Sequence, residues 1–291
     1  MAEGVHKKMA PGRLLGDKKM DSVLQERPAV AATGHILGVR NVTVRFGGIV
    51  ALDDVSFDVP RGQICGLIGP NGAGKSTLFN CLSGLYRPSS GSISFEGERL
   101  QDLPLHRMAP LGLGRTFQNL ALFSRMTVRE NVLVGAHPRH HAGFLRDCFR
   151  LPSARRLEEQ AQASADAMIE LLGLGRVQHR LVADLPFGTQ KRVEMARALA
   201  SRPRLIMLDE PACGLNHEEL QELQATIRQV HRCFDLTVLL VEHHMALVMA
   251  LTDHIVVLNF GRKIAEGSPD AIRQHPEVLK AYLGNNEEAT A

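Results

Sequence analysis

Ile64-Cys65-Gly66-Leu67-Ile68-Gly69-Pro70-Asn71-Gly72-Ala73-Gly74-Lys75-Ser76-Thr77 is the stretch that decides the fold. Its first residues read as a buried strand that delivers the chain into a glycine-rich turn. Gly69, Gly72 and Gly74 permit positive φ and close backbone approach, so successive N–H groups turn inward as a nest for an anion. A helix over Ser76 to Leu85 adds the positive end of its dipole. Pro70, Asn71 and Ala73 complete the G-x-x-x-x-G-K-[ST] spacing. In that frame Lys75 reaches the β- and γ-phosphates of a bound nucleotide, and the Ser76 hydroxyl, followed by Thr77, is placed to ligate Mg2+. A merely flexible loop leaves Lys75 unexplained.

Composition bounds the rest. The 291 residues are 44% hydrophobic, enough for a sizeable core in one large domain or two modest ones. A net charge of +3 is too small to imply a nucleic-acid binder. Cys65, Cys81, Cys148, Cys213 and Cys233 lie far apart with no C-x-x-C pair, which fits a reducing cytosol. Cys213, beside Pro211 and Gly214, reads as a small packed residue. No apolar window reaches the roughly 18 residues of a membrane span, and the N-terminus lacks the apolar stretch of a secretion signal. Residues 1–34 read as a disordered extension, 35–285 as the working domain and 286–291 as a tail.

Alternation predicts strands over Leu37–Phe46 and Ala51–Val59, broken by Gly47-Gly48, and a further short strand over Ser92–Glu96. From about 119 to 189 the pattern turns helical and charged, which predicts a lobe interrupting the α/β core of 35–118 and 190–258. His137, His140 and His141 lack a Cys or acidic partner at ligand spacing and read as a solvated basic surface. Apolar strands return at Leu205–Asp209, Thr237–Val241 and Ile255–Leu258, with helices at Glu218–Cys233 and Ala246–Leu251 between them. Continuous apolar strands alternating with helices predict a parallel sheet covered on both faces. A hairpin and helix over 259–285 close the domain.

Leu205–Leu208 ends in Asp209-Glu210-Pro211. Two adjacent carboxylates therefore stand at a strand's C-terminal end, where open α/β sheets bind ligands. Asp209 can hold Mg2+, directly or through water. Glu210 can orient and deprotonate a water for in-line attack on the γ-phosphorus.

Between these halves lie Gly114-Arg115-Thr116-Phe117-Gln118 and Leu185-Pro186-Phe187-Gly188-Thr189-Gln190, with Lys191 to Leu199 following. In order and spacing, residues 36–284 resemble the ATP-binding subunit of an ABC transporter. The resemblance implies a P-loop NTPase, RecA-like core with an antiparallel β subdomain and an inserted α-helical subdomain. It also implies ATP and Mg2+ as cofactors. It matches Gln118 to the glutamine that bridges Mg2+ and the membrane subunit, and Gly214-Leu215-Asn216 to the D-loop at a dimer seam. His243 matches the switch histidine that contacts the γ-phosphate, and Phe46 the aromatic that stacks on adenine. The tail from Gly261 to Gly284 resembles the LivG-like subunits of branched-chain amino acid importers in particular.

Implied partners are a second ABC ATPase, transmembrane permeases and, indirectly, a substrate-binding protein, with the chain peripheral on the cytoplasmic face of the membrane. Leu120, Leu122 and Phe123 are expected to help form the groove that accepts a permease helix. Other readings share the motifs: an importer of urea or other amides, an exporter of lipopolysaccharide, a soluble ABC ATPase, or a nucleotide-binding regulatory subunit.

Three segments depart from the family pattern. The signature loop, usually Leu-Ser-Gly-Gly-Gln, stands here as Leu185-Pro186-Phe187-Gly188-Thr189, and Pro186 supplies neither hydroxyl nor N–H. Asn216 and His244 each stand where aspartate is usual. Because such subunits pair head to tail, the altered loop serves the partner's site. A heterodimer is therefore expected over a homodimer.

Overall fold

The computed structural model describes residues 34–117, 120–136 and 152–283; Gln118, Asn119, Cys148 and the three histidines at 137, 140 and 141 lie outside the described residues. Strand β1 (His35–Phe46) and strand β2 (Ile49–Pro60) form the expected antiparallel hairpin across Gly47-Gly48. A register shift between Val39 and Val42, with Asn41 at φ 49°, resets the alternation along β1. Val42 and Val44 thereby point inward with Leu37 and Val39.

Strand β3 (Ile64–Ile68) leads through the glycine turn into helix α1 (Lys75–Leu82). The helix stops short of Leu85 because Gly84 takes φ 74°, the left-handed conformation that ends helices, while the Ser83 amide bonds the Phe79 carbonyl at 3.0 Å. Strand β4 (Ser90–Phe95) adds to the free edge of β1 and is followed by β5 (Glu98–Arg99), giving a four-stranded sheet in the order β2-β1-β4-β5.

The second sheet is six-stranded. Strands β6 (Leu113–Arg115), β7 (Leu205–Asp209), β8 (Thr237–Val241), β9 (His254–Asn259) and β10 (Arg262–Gly267) join β3 in the order β10-β9-β3-β8-β7-β6. All neighbours are parallel except β9 and β10, the hairpin through Phe260-Gly261. Strand β6 was not foreseen: three residues with a central glycine carry too little period to read.

Period two sorts the apolar runs onto two faces. Cys65, Leu67, Met207, Leu239, Val241, Val256 and Leu258 share one core with α1 and the antiparallel sheet, built around Leu78, Phe79 and Phe95. On the other face, Ile68, Ile255 and Val257 pack with Val248, Ile272 and Val278.

Helices α2 (Val128–Ala136), α3 (Pro152–Leu171) and α4 (Phe187–Ala200) pack on one another as a helical lobe. Helix α4 is unbroken from Phe187 and also contacts β6, so it belongs to the lobe and the sheet edge at once. Helix α5 (His217–Phe234) links β7 to β8 and α6 (Met245–Leu251) links β8 to β9, while α7 (Pro269–Arg273) and α8 (Pro276–Leu283) end the described chain. None of the described helices is long and apolar enough to cross a membrane.

Close approach of α2 to α4 depends on Gly135, where an added Cβ would lie 1.9 Å from the Arg197 carbonyl oxygen. Gly135→Ala is therefore expected to cost about 1–3 kcal/mol of stability. Thermal unfolding checks this, with an expected fall in Tm of about 3–10 °C and an unaltered nucleotide affinity.

Candidate functional site

A cavity of about 500 Å3 opens where β3 turns into α1. It is lined by Ile49, Val50 and Ala51 from β2, by Asn71 to Thr77, by Glu210, and by Phe260 and Gly261 from the last hairpin. Asn71, Gly72, Ala73, Gly74, Lys75, Ser76 and Thr77 are thus brought together as expected. Gly69 and Pro70 serve from behind, since the Lys75 Nζ donates to the Gly69 carbonyl at 2.6 Å and to the Pro70 carbonyl at 2.9 Å. Burial pulls the Lys75 ammonium below the usual lysine range, and the Glu210 carboxylate opposes that.

The turn has little freedom. Gly69 sits at φ 153° with its missing Cβ directed 2.1 Å from the Leu258 carbonyl oxygen, and Gly74, at φ 98°, would place a Cβ 2.7 Å from the Ala51 carbonyl oxygen. No side chain caps α1, so its first amides are left for a ligand at the cavity wall. The wall formed by the last hairpin is pinned on both sides: the Gly261 amide donates to the Ala73 carbonyl at 3.1 Å, and the Asp53 amide donates to the Gly261 carbonyl at 2.8 Å. Sequence reasoning missed Phe260. Nothing in its local pattern marks it, yet it is 81% exposed in a left-handed backbone conformation, φ 44°, at the mouth of the site.

The two acidic neighbours diverge. Asp209 is buried, outside the cavity lining, and pairs with Arg115 at 3.0 Å. Burial pushes its carboxyl above the ordinary aspartate range, and the Arg115 guanidinium works the other way. Arg115 itself lies over the Phe79 and Phe117 rings and bonds the Ser83 hydroxyl. Glu210 turns into the cavity because its backbone takes φ 45° while its amide donates to the Val241 carbonyl at 2.9 Å. His243 stands nearby, its Nδ1 3.9 Å from Glu210 Oε2.

Phe46 does not line the cavity; it is half-exposed at the end of β1 and meets Tyr86 edge to face, ring centres 5.5 Å apart. Gln118 lies outside the described residues, but the Phe117 amide before it donates to Glu194 at 3.0 Å. Arg197, one turn further along α4, donates to the Ala121 carbonyl at 2.6 Å. Helix α4 therefore holds both flanks of that segment.

The altered signature loop is settled against its own chain. Pro186 is the N-cap of α4, Leu185 is buried, and the Gln190 side chain donates to the Leu185 carbonyl at 2.9 Å. Thr189 accepts from Arg192. The Phe187 ring covers Gly214, where a Cβ would meet it at 3.0 Å, and the Gly188 face abuts Glu219. Leu215 donates its amide to the Ala212 carbonyl at 3.2 Å. Asn216 caps α5 in a reciprocal pair with Glu219, both contacts at 3.0 Å. His244 caps α6, its Nδ1 accepting from the Leu247 amide at 3.4 Å. Both replacements for aspartate thus keep an N-cap acceptor. Cys213 is exposed rather than packed, because the turn that places Glu210 directs it outward.

Residues 52–213 match the ABC transporter family, and residues 262–288 match the family described as branched-chain amino acid ATP-binding cassette transporter. The chain is 47% identical to the high-affinity branched-chain amino acid transport ATP-binding protein BraF of Pseudomonas aeruginosa, over 86% of this chain and 98% of that one. It is 42% identical to the corresponding LivG protein of Escherichia coli over the same shares. Among solved structures, a nucleotide-free ATP-binding cassette from an ABC transporter superposes with a TM-score of 0.73 at 31% identity, covering 86% of this chain and 99% of that one. The ADP conformation of such a cassette gives 0.73 at 31% identity over 87% and 100%. With strand, phosphate turn and acidic strand end converging on one cavity, the chain belongs to the ABC transporter family as one of its ATP-binding cassettes.

Proposed function

We propose that this ATPase holds ATP with Mg2+ in the cavity at residues 71–77, hydrolyses it at Glu210, and so powers import of branched-chain amino acids. The observation that carries the chemistry is the convergence of Lys75, Ser76 and Glu210 on one cavity. Lys75 neutralises the β- and γ-phosphates; its ammonium, already resting on the Gly69 and Pro70 carbonyls, needs little reorganisation. Ser76 and Asp209 would hold Mg2+, a hard cation suited to oxygen donors that neutralises phosphate charge when bound. Asp209, paired with Arg115 and outside the cavity lining, would do so through water. Glu210 takes the proton of the attacking water, and His243 contacts the γ-phosphate from beside it. Phe46 stacks on adenine once a nucleotide draws it from Tyr86, and Gln118 carries the state of the site to the membrane subunits.

The cargo rests on likeness, because nothing transported touches this chain: BraF and LivG are named for branched-chain amino acid transport, and the C-terminal match carries the same description. The partners are two permeases and, beyond them, a substrate-binding protein, with the chain on the cytoplasmic face of the membrane. A heterodimer with a related ATPase is favoured over a homodimer. Support comes from Pro186 and Phe187: one lacks the donor groups of the usual serine, and the other packs on Gly214 within its own chain.

Lys75→Ala is expected to weaken ATP binding by about 10- to 100-fold, the loss of a charged hydrogen-bond donor. Glu210→Gln is expected to keep binding and lose about 100- to 10,000-fold in hydrolysis. Nucleotide titration and phosphate release from the assembled complex separate the two; equal binding by Lys75→Ala would overturn the reading. In a heterodimer, Glu210→Gln should reduce turnover far more than the matching change in the partner ATPase, and equal losses would remove the asymmetry. Phe123 is exposed beside the segment of Gln118, with Arg197 against its ring. Phe123→Asp should therefore abolish co-purification with the permeases while leaving Tm within a few degrees, as measured by pull-down and thermal unfolding.

A further inference from the structure

The most completely buried acid of the described chain takes no part in the chemistry above. Glu242 follows the last residue of β8, has no exposed surface, and does not line the cavity. Its two oxygens serve different segments. Oε1 accepts from the Ala212 amide at 2.7 Å, two residues after Glu210 and two before Gly214. Oε2 accepts from the amides of His243 and His244 at 3.2 Å and 3.3 Å, where the chain leaves β8 and enters α6.

Such an arrangement needs a carboxylate. An amide of the same shape has one acceptor and one donor, so it can satisfy the Ala212 side or the His243 side, and it turns an N–H toward the other. Burial raises the proton affinity of Glu242, while the three amides and His243 work against it. The buried charge is thus compensated by both loops together rather than by either alone.

We propose that Glu242 is a positioning residue that fastens the loop carrying His243 to the turn between Glu210 and Gly214, so that the two shift as one body. Docking of a second ATPase against Gly214-Leu215-Asn216 then sets the place of His243 relative to Glu210 without any direct contact between partner and histidine. The inference rests on the ATPase reading given above, and it assigns a task to a residue outside the nucleotide cavity.

In the assembled transporter, Glu242→Gln is expected to lower kcat by about 10- to 100-fold, the cost of a misplaced reacting group. KM for ATP should stay within about twofold, since the cradle around Lys75 is untouched. Adding His243→Ala to Glu242→Gln should cost less than about a further twofold, because both changes remove the same placement. Wild-type hydrogen exchange supplies a second measurement that needs no variant: the amides of Ala212, His243 and His244 should exchange at a common rate and be slowed together by ATP. A kcat within about twofold of wild type, full multiplication of the two losses, or rates at Ala212 and His243 differing by more than about tenfold would overturn the proposal. A wild-type protein without saturable ATP binding would instead bring down the ATPase reading itself, and the role of Glu242 with it.

Discussion

A lysine ammonium held out of water is tolerable only while its donors are satisfied, and in this chain that condition shapes everything around it. Lys75 meets it with the Gly69 and Pro70 carbonyls, so the turn must curl back under its own side chain. That curl needs a backbone no side chain would allow at Gly69 and Gly74, both pressed on neighbouring carbonyls. The neighbours in turn are fixed: Leu258 by the sheet and Ala51 by the antiparallel hairpin. The cradle is thus built by contact with both sheets, and its rigidity comes from the packing of Phe79, Leu67 and Leu258 in the core they share.

Electrostatics then divides labour between two adjacent carboxylates. Asp209 continues the strand and is taken up by Arg115; Glu210 breaks from it through a left-handed residue and enters the cavity. One change of backbone conformation separates a buried, arginine-paired acid from one that lines the cavity. The same step sends the chain on to Ala212, whose amide finds Glu242. Arg115 extends the arrangement in the other direction, toward Phe117 and the segment of Gln118.

Much of this was legible because it depends on local pattern. The strand, turn and helix at 64–82, the acidic end of β7 and the apolar strands β8 and β9 each carry their own period or spacing. What was hidden depends on tertiary contact. Strand β6 is too short to show a period, and α1 ends at Leu82, short of the expected Leu85, where Gly84 takes the left-handed conformation. Phe260 belongs to the cavity only because its turn is pinned to Ala73 and Asp53. Glu242 looks like a polar residue ending a strand; that two loops converge on it is a property of the folded chain. The substitutions at Asn216 and His244, departures in sequence, prove to be helix caps of a different chemistry.

The hydrogen bond from Gly261 to Ala73 joins residues made early and late in synthesis. On a translating ribosome the phosphate turn emerges long before its closing wall, and before β8 and β9, the two strands that flank β3. A product cut short after β8 would carry residues 71–77 and Glu210 yet lack Phe260, Gly261 and the two hydrogen bonds that brace the turn.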